Sequence, residues 1–189
     1  GTRLGSHQSD YPHPISRTNP MKTLSLLFLL ALPLLSYSQD LAELDRRKGF
    51  KDIKLGSRID SLKGAEFKKD ALEKNEFPVK LYSVEDEAYE TIGEVKVKKV
   101  EVKAYKNEIY EILVITQKDT RLMKGMQKSF GKPIYILPTD TYNWKTDSLS
   151  LTFKDHSKNE LRLTYRYYPV LKKMQIDKGK KIDAIAEDF

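Results

Sequence analysis

The feature that most restricts the fold is a strict two-residue alternation of apolar and polar positions between residues 149 and 167. Its apolar positions flank a polar turn at 155–159 and are Leu149, Leu151, Phe153, Leu161, Leu163, Tyr165 and Tyr167. Because successive side chains of a strand point to opposite faces, this pattern predicts an antiparallel hairpin with one buried face. The hairpin ends at Pro169, which interrupts strand pairing.

Two further strands and a bulge are predicted in residues 95–115. Apolar residues change parity within the first strand, at Val95, Val97, Val100, Val102 and Ala104. One extra residue at 98–99 returns the apolar side chains to the same face, so a β-bulge is expected there. A tight turn follows at 106–107, since Asn tolerates positive φ. Residues 109–115 are apolar at both parities, which indicates a central strand covered on both faces.

The sequence predicts one well-marked helix and two shorter ones. A well-marked helix begins at Asp119 or Thr120 and ends at Gly131, which Pro133 follows. Shorter helices are expected from Ser57 through Leu62, and over residues 182–189 at the C-terminus, where the apolar spacing is helical. Residues 64–78 are ambiguous, although the apolar residues there have the spacing of a helix face.

These elements predict an α+β fold with antiparallel β-meanders and helices on one face of the sheet. The order of elements repeats, so we expect two similar helix-plus-meander halves at about 50–116 and 117–189. Each half is too short to bury much core alone, which favours a single domain over residues 49–189. Residues 39–48 are charged and lack a buried pattern, so we expect a flexible N-terminal segment there.

Residues 21–38 have the three parts of a secretory signal peptide. Lys22 is followed by an apolar run from Leu24 to Leu35, and small residues at 36 and 38 predict cleavage between Ser38 and Gln39. The apolar run is shorter than the roughly 20 residues that a membrane span needs. We therefore expect an exported, periplasmic or secreted protein, with residues 1–20 as a non-structural upstream segment.

The absence of cysteine and the scarcity of histidine exclude several chemistries. With no Cys among its 189 residues, the chain has no disulfide, thiolate metal site, Cys nucleophile or lipid-bearing cysteine. Two of the three His precede residue 21, and the third, His156, lies in the predicted hairpin turn. Three consecutive turn residues, Asp155 to Ser157, do not form a catalytic triad. No phosphate-binding or dinucleotide motif occurs, so we expect no cofactor and no metal.

Charge and aromatic residues leave three kinds of site to consider. The acidic loop over residues 85–94 supplies carboxylates that a small hydrolase would need. The chain has 34 Lys+Arg against 27 Asp+Glu, and Arg162 and Arg166 lie on the polar face of the predicted hairpin, where anionic surface glycans would bind. Tyr142 and Trp144 form an aromatic pair near a turn, either an interface anchor or, for Trp144, a plug of the core.

Nucleic acid is not expected as a partner. Binding of single strands needs aromatic side chains exposed among the basic residues. Tyr165 and Tyr167 instead share the parity of Leu161 and Leu163, so they belong to the core face of the hairpin. The predicted export from the cell is a second reason not to expect nucleic acid as a partner.

Two short motifs carry a family resemblance. The pattern from Phe50 through Ile53, Leu55, Gly56, Ser57, Asp60 and Leu62, and the helix that ends in Gly131-x-Pro133, resemble the β-lactamase-inhibitor-protein-like superfamily of small exported domains. The resemblance implies helix-plus-meander units in tandem and binding of other proteins rather than catalysis. We therefore expect a non-catalytic domain that binds a protein or another envelope component, with the carboxylate-dependent hydrolase and the glycan binder as alternatives.

Overall fold

The computed structural model of the chain describes residues 1–2 and 41–189. The predicted signal peptide at 21–38, its cleavage site between Ser38 and Gln39, and residues 3–20 lie outside the described residues. Within the described part, no helix combines the length and the apolar character that crossing a membrane requires.

Most of the described chain forms one antiparallel sheet. The strands are β1 (Gly49–Phe50), β2 (Ile53–Lys54), β3 (Ala65–Glu73), β4 (Phe77–Val84), β5 (Thr91–Ile92), β6 (Val95–Tyr105), β7 (Glu108–Gln117), β8 (Ile134–Ile136), β9 (Thr141–Lys145), β10 (Leu149–Ser157) and β11 (Glu160–Tyr167). The main sheet has the order β3-β4-β6-β7-β11-β10-β9-β8, with β5 beside β6, while β1 and β2 form a separate pair. The helices are α1 (41–47), α2 (Thr120–Phe130) and α3 (Tyr168–Ala186). The fold is α+β with a mainly antiparallel sheet, as the sequence predicts.

Helices lie on both faces of this sheet, whereas the sequence predicts them on one. The larger core joins Leu44 of α1 and Leu122 of α2 to the apolar face that includes Leu163. On the opposite face, Val170 and Met174 of α3 form a smaller core with strand residues Phe77, Val79, Tyr105 and Tyr110. Pro169 stands in the first turn of α3, where its missing N–H is not needed. The chain therefore turns directly from β11 into a helix that crosses the second face.

Several local predictions are confirmed. β10 pairs with β11 from Leu149 opposite Tyr167 onward, and a register shift between Val97 and Lys99 marks the bulge in β6. Lys106 and Asn107 both have positive φ in the β6–β7 turn. At the start of α2, the Asp119 carboxylate accepts a hydrogen bond from the Arg121 N–H. Local signals predict these features because they depend on neighbouring residues alone.

The chain before β4 differs from expectation. Residues 41–47 are helical with Leu44 fully buried, where the sequence predicts a flexible segment. Only a short 3-10 turn, Ile59–Ser61, forms after Ser57, whose hydroxyl donates to the Lys54 carbonyl instead of capping a helix. Residues 65–84 form the β3–β4 hairpin, although the apolar spacing of 64–78 also suits a helix face. Strand pairing with β4 supplies the backbone hydrogen bonds that decide this structure.

The strand order places β3, β4, β6 and β7 on one side of the β7–β11 contact and β11, β10, β9 and β8 on the other. That arrangement suits two consecutive meanders meeting at their last strands. The similarity of the two halves, 50–116 and 117–189, stays a prediction.

Candidate functional site

The candidate site is a pocket of about 580 Å³ on the face that carries α1 and α2. We call it the α2 pocket. Its floor is made by Leu163 and Tyr165 of β11, and α2 forms one wall. Its other lining residues come from the α1–β1 region and the β5–β6 turn, and are Arg47, Gly49, Phe50, Lys51, Ile92, Gly93, Glu94 and Val95. A cavity of this volume falls within the range of small-molecule sites, about 300 to 1,000 Å³.

The sequence of α2 explains why this space is empty. Leu122, Met126 and Phe130 anchor the helix in the core, while Gly125 and Ser129, four residues apart, line the pocket. A Cβ placed on Gly125 would have no neighbour within 4 Å, so packing does not require glycine there. Glycine in a helix interior costs about 1 kcal/mol relative to alanine. Gly125 is itself exposed, so the absence of a side chain leaves this side of the pocket open to solvent.

Tyr165 is the polar group at the floor of the pocket. Its side chain is 5% exposed, and its ring centroid lies 6.5 Å from that of Phe50. Burial raises the pKa of its hydroxyl well above the ordinary value, an effect that Arg47 partly opposes. The hydroxyl therefore stays protonated at neutral pH.

The mouth of the α2 pocket is positively charged. The Arg47 guanidinium lies 5.5 Å from the Phe130 ring centroid and shares the single carboxylate of Glu43 with Arg46. Lys51 donates to the backbone carbonyl oxygens of Ala88 and Thr91 and forms no ion pair with a described residue. The positive charge of these two side chains is thus greater than the negative charge of the carboxylate that pairs with them.

Arg121, the third cation at the mouth, is balanced by acids. Its guanidinium lies 2.9 Å from Glu94 and 2.9 Å from Asp119. The hydrogen bonds that Arg121 donates to these carboxylates raise its pKa further above its already high value. Arg121 therefore adds little net charge to the pocket, and the excess comes from Arg47 and Lys51.

A second group of titratable side chains lies on the opposite face of the sheet. Arg166 donates to both Glu111 and Glu73, with 2.7 Å between its Nε and the Glu111 carboxylate. Lys103 lies 3.0 Å from Glu111 and 3.3 Å from Glu73, and the buried Tyr110 hydroxyl donates to Glu73 over 3.0 Å. Two acids and two bases thus form a neutral network between β3, β6, β7 and β11.

This network keeps Glu73 ionised. Burial acts to raise the Glu73 pKa, but Arg166, Lys103 and the Tyr110 hydroxyl outweigh it and lower the pKa below its ordinary value. A general acid needs the opposite, a carboxyl that holds its proton near neutral pH. The arrangement is that of a structural ion network.

Replacing Glu73 with glutamine is expected to lower the free energy of unfolding by about 2 kcal/mol at pH 7, because charged hydrogen bonds to buried groups are lost. The folded-state pKa of Glu73 is depressed, so its contribution is complete above the unfolded value of about 4.3 and decreases as pH falls through the folded value. Urea unfolding of both proteins between about pH 3 and 7 measures this. An unchanged difference across that range would contradict the assigned role, and Asp70→Asn, at an exposed β3 pair, is the control.

The four residues predicted to bind partners do not lie together. Trp144 is 1% exposed and belongs to the core, so the core-plug alternative describes it correctly. Tyr142 is about one-third exposed and packs against Tyr135 near the β8 edge. The donors of Arg166 are engaged by Glu73 and Glu111. Arg162 is half-buried, and its buried Nε has no partner among the described residues.

The acidic loop does not gather its carboxylates into a site. Asp86 caps a 3-10 turn, accepting from the Ala88 N–H over 3.0 Å, and that hydrogen bond together with Lys63 lowers its pKa. Glu94 pairs with Arg121 instead. Across residues 41–189, no group of three or more acidic or histidine side chains is arranged to hold a metal. His156 lies at the exposed end of β10, beside the hairpin turn.

The pocket itself was not predicted. Tyr165 and Leu163 are predicted as core residues, and they do lie on the core face, but they border empty space. A glycine in the middle of an amphipathic helix is the one local signal that points to the cavity. Comparisons with family models, with curated proteins and with solved structures find no match.

Proposed function

We propose that this protein is an exported, non-catalytic binding domain whose α2 pocket holds a small amphiphilic envelope component, an alkyl chain that ends in an anionic group. The observation that carries the proposal is the pocket of about 580 Å³ that opens beside Gly125. The floor of that pocket includes the buried Tyr165. An apolar cavity with few polar groups is the usual form of a ligand site.

The charge at the mouth supports an anionic end group. Arg47 and Lys51 place positive charge beside an apolar cavity, and neither is fully neutralised by described carboxylates. Charge-assisted hydrogen bonds to a carboxylate or phosphate are shorter and stronger than neutral ones. The alkyl part would lie against Phe50, Leu122 and Met126.

The partners of the carboxylates support binding rather than hydrolysis. Hydrolysis by paired carboxylates needs one acid of raised pKa and one base of ordinary pKa near the same bond. Glu73 has a lowered pKa and lies on the opposite face of the sheet. Glu94, the acid that lines the α2 pocket, is paired with Arg121.

The full chain is expected to bind decanoate with a dissociation constant on the order of 10 µM, measured by isothermal titration calorimetry. Gly125→Phe fills the cavity and is expected to weaken binding at least about tenfold. Gly179→Phe is the matched control, because Gly179 is a helical glycine in α3 that also has no neighbour within 4 Å of a Cβ. Circular dichroism verifies that both variants fold.

Three outcomes would contradict the proposal. Equal binding by Gly125→Phe and the unchanged chain would place the ligand elsewhere, and absence of decanoate binding would remove the proposed function. Equal affinity for decyltrimethylammonium would show that the pocket selects the alkyl chain and not the anion. Ser129→Phe, at the same pocket wall, repeats the first comparison if Gly125→Phe fails to fold.

A further inference from the structure

The main sheet ends in two unlike edges. At β3, the exposed Phe67 and Leu72 are separated by Lys68, Lys69 and Asp70, and a register shift between Phe67 and Lys69 interrupts the strand. Charged residues and bulges at an edge discourage pairing with another sheet. The other edge strand, β8, is three residues long between Pro133 and Pro138, which limits pairing to this short stretch, but it carries no charge.

Five large apolar side chains are exposed at or beside this second edge, which we call the β8 edge. The exposed fractions are Ile134 64%, Tyr135 45%, Ile136 37%, Leu137 76% and Tyr142 36%. Tyr135 and Tyr142 have ring centroids 4.9 Å apart, and the Tyr135 hydroxyl donates to Asp140 over 2.7 Å, so the patch is ordered by its own contacts. Because side chains of a strand alternate, Tyr135 and Tyr142 lie on one face and Ile134 and Ile136 on the other, so the exposed apolar surface flanks the edge on both faces, on the order of 500 Å² in all.

We propose that the β8 edge pairs with the β8 edge of a second copy of this chain, antiparallel and about a two-fold axis. Such an interface uses the same patch on both copies and closes after two, whereas pairing of β8 with the charged β3 edge would form a larger ring or an open filament.

The expected dimer is of moderate affinity. Pairing buries at most on the order of 1,000 Å² in total, at the low end for specific interfaces, and backbone hydrogen bonds between the two three-residue β8 strands add to it. The pairing leaves the α2 pocket unused, since no residue of the β8 edge lines it. The proposal is therefore independent of ligand binding.

Sedimentation velocity of the full chain between about 1 and about 300 µM is expected to show reversible dimerisation. Ile136→Lys is expected to weaken the association at least about tenfold, because it places two like charges near the axis. Leu72→Lys makes the same charge change at the β3 edge and should leave the association unaltered. A monomer at all concentrations, or equal association of the two variants, would overturn the proposal.

Cross-linking locates the contact by a second route. Since the chain has no native cysteine, Ile134→Cys and Ile136→Cys each introduce one thiol. Residues near a two-fold axis meet their own counterparts, so at least one of these variants is expected to form a disulfide dimer on mild oxidation. Leu72→Cys is the matched control. Cross-linking of Leu72→Cys at a rate equal to or above that of both β8 variants would assign the interface to the other edge.

Discussion

Replacing Trp144 with alanine is expected to lower the free energy of unfolding by about 4 kcal/mol. The indole is 1% exposed and belongs to the main core, with its ring centroid 6.5 Å from that of Phe130. Its Nε1–H donates to the Gly131 carbonyl oxygen over 2.7 Å, which joins β9 to the end of α2. Alanine leaves a large cavity and removes this hydrogen bond. Urea unfolding followed by far-ultraviolet circular dichroism measures the loss.

Trp144→Phe separates the two contributions. Phenylalanine keeps part of the ring volume but cannot donate to Gly131, so a loss of about 2 kcal/mol is expected. Trp144 is the single tryptophan of the chain, so unfolding of its variants must be followed by a signal other than tryptophan fluorescence. If Trp144→Ala changed stability by less than about 1 kcal/mol, the side chain would not have the core role assigned to it.

Replacing Gly49 with alanine is also expected to destabilise the protein by about 4 kcal/mol. Gly49 has φ of 151°, a conformation that residues with a Cβ rarely adopt. An added Cβ would lie 2.0 Å from the Ile53 carbonyl oxygen, on the strand that pairs with β1. Because that atom belongs to the backbone, the β1–β2 pair must separate. The change would also move Phe50, which lines the α2 pocket.

Two other glycines serve as controls for this variant. Gly93→Ala meets no atom within 4 Å but keeps a positive φ of 58°, so a loss of about 1 kcal/mol is expected. Gly125→Ala lies in an ordinary helical position with open space beside it, and is expected to gain up to about 1 kcal/mol. Thermal unfolding of the three variants should follow this order. A loss from Gly49→Ala no greater than that from Gly93→Ala would show that the close contact with Ile53 is not what requires glycine.

Local structure was predictable wherever a few neighbouring residues decide it. Alternation over residues 149–167 predicts the β10–β11 hairpin, and the parity change near Lys98 predicts the bulge in β6. The ends of α2 follow from Asp119 and Gly131, which meet the backbone groups that a helix leaves unpaired. The strand structure of residues 64–78 was ambiguous in the sequence. β3 is an edge strand with charged side chains exposed on it, so its apolar and polar residues do not alternate clearly.

The candidate site depends on contacts between distant parts of the chain. The α2 pocket joins Arg47, the β5–β6 turn, α2 and Tyr165, and none of these segments carries a ligand motif by itself. The same holds for the ion network, in which Glu73 and Arg166 are 93 positions apart. Arg166 lies on the polar face of a strand, as predicted. Only the tertiary structure shows that the Glu73 carboxylate lies beside it and neutralises its charge.

The sequence by itself determined the α+β class, the antiparallel hairpin and the ends of α2, because period and capping act over a few residues. It also determined that the chain holds its fold without disulfides. Only the tertiary structure decided that Trp144 is buried, that α3 covers the second face, and that Gly125 stands beside empty space. These depend on which surfaces meet, and burial is a property of the assembled layers rather than of any one segment.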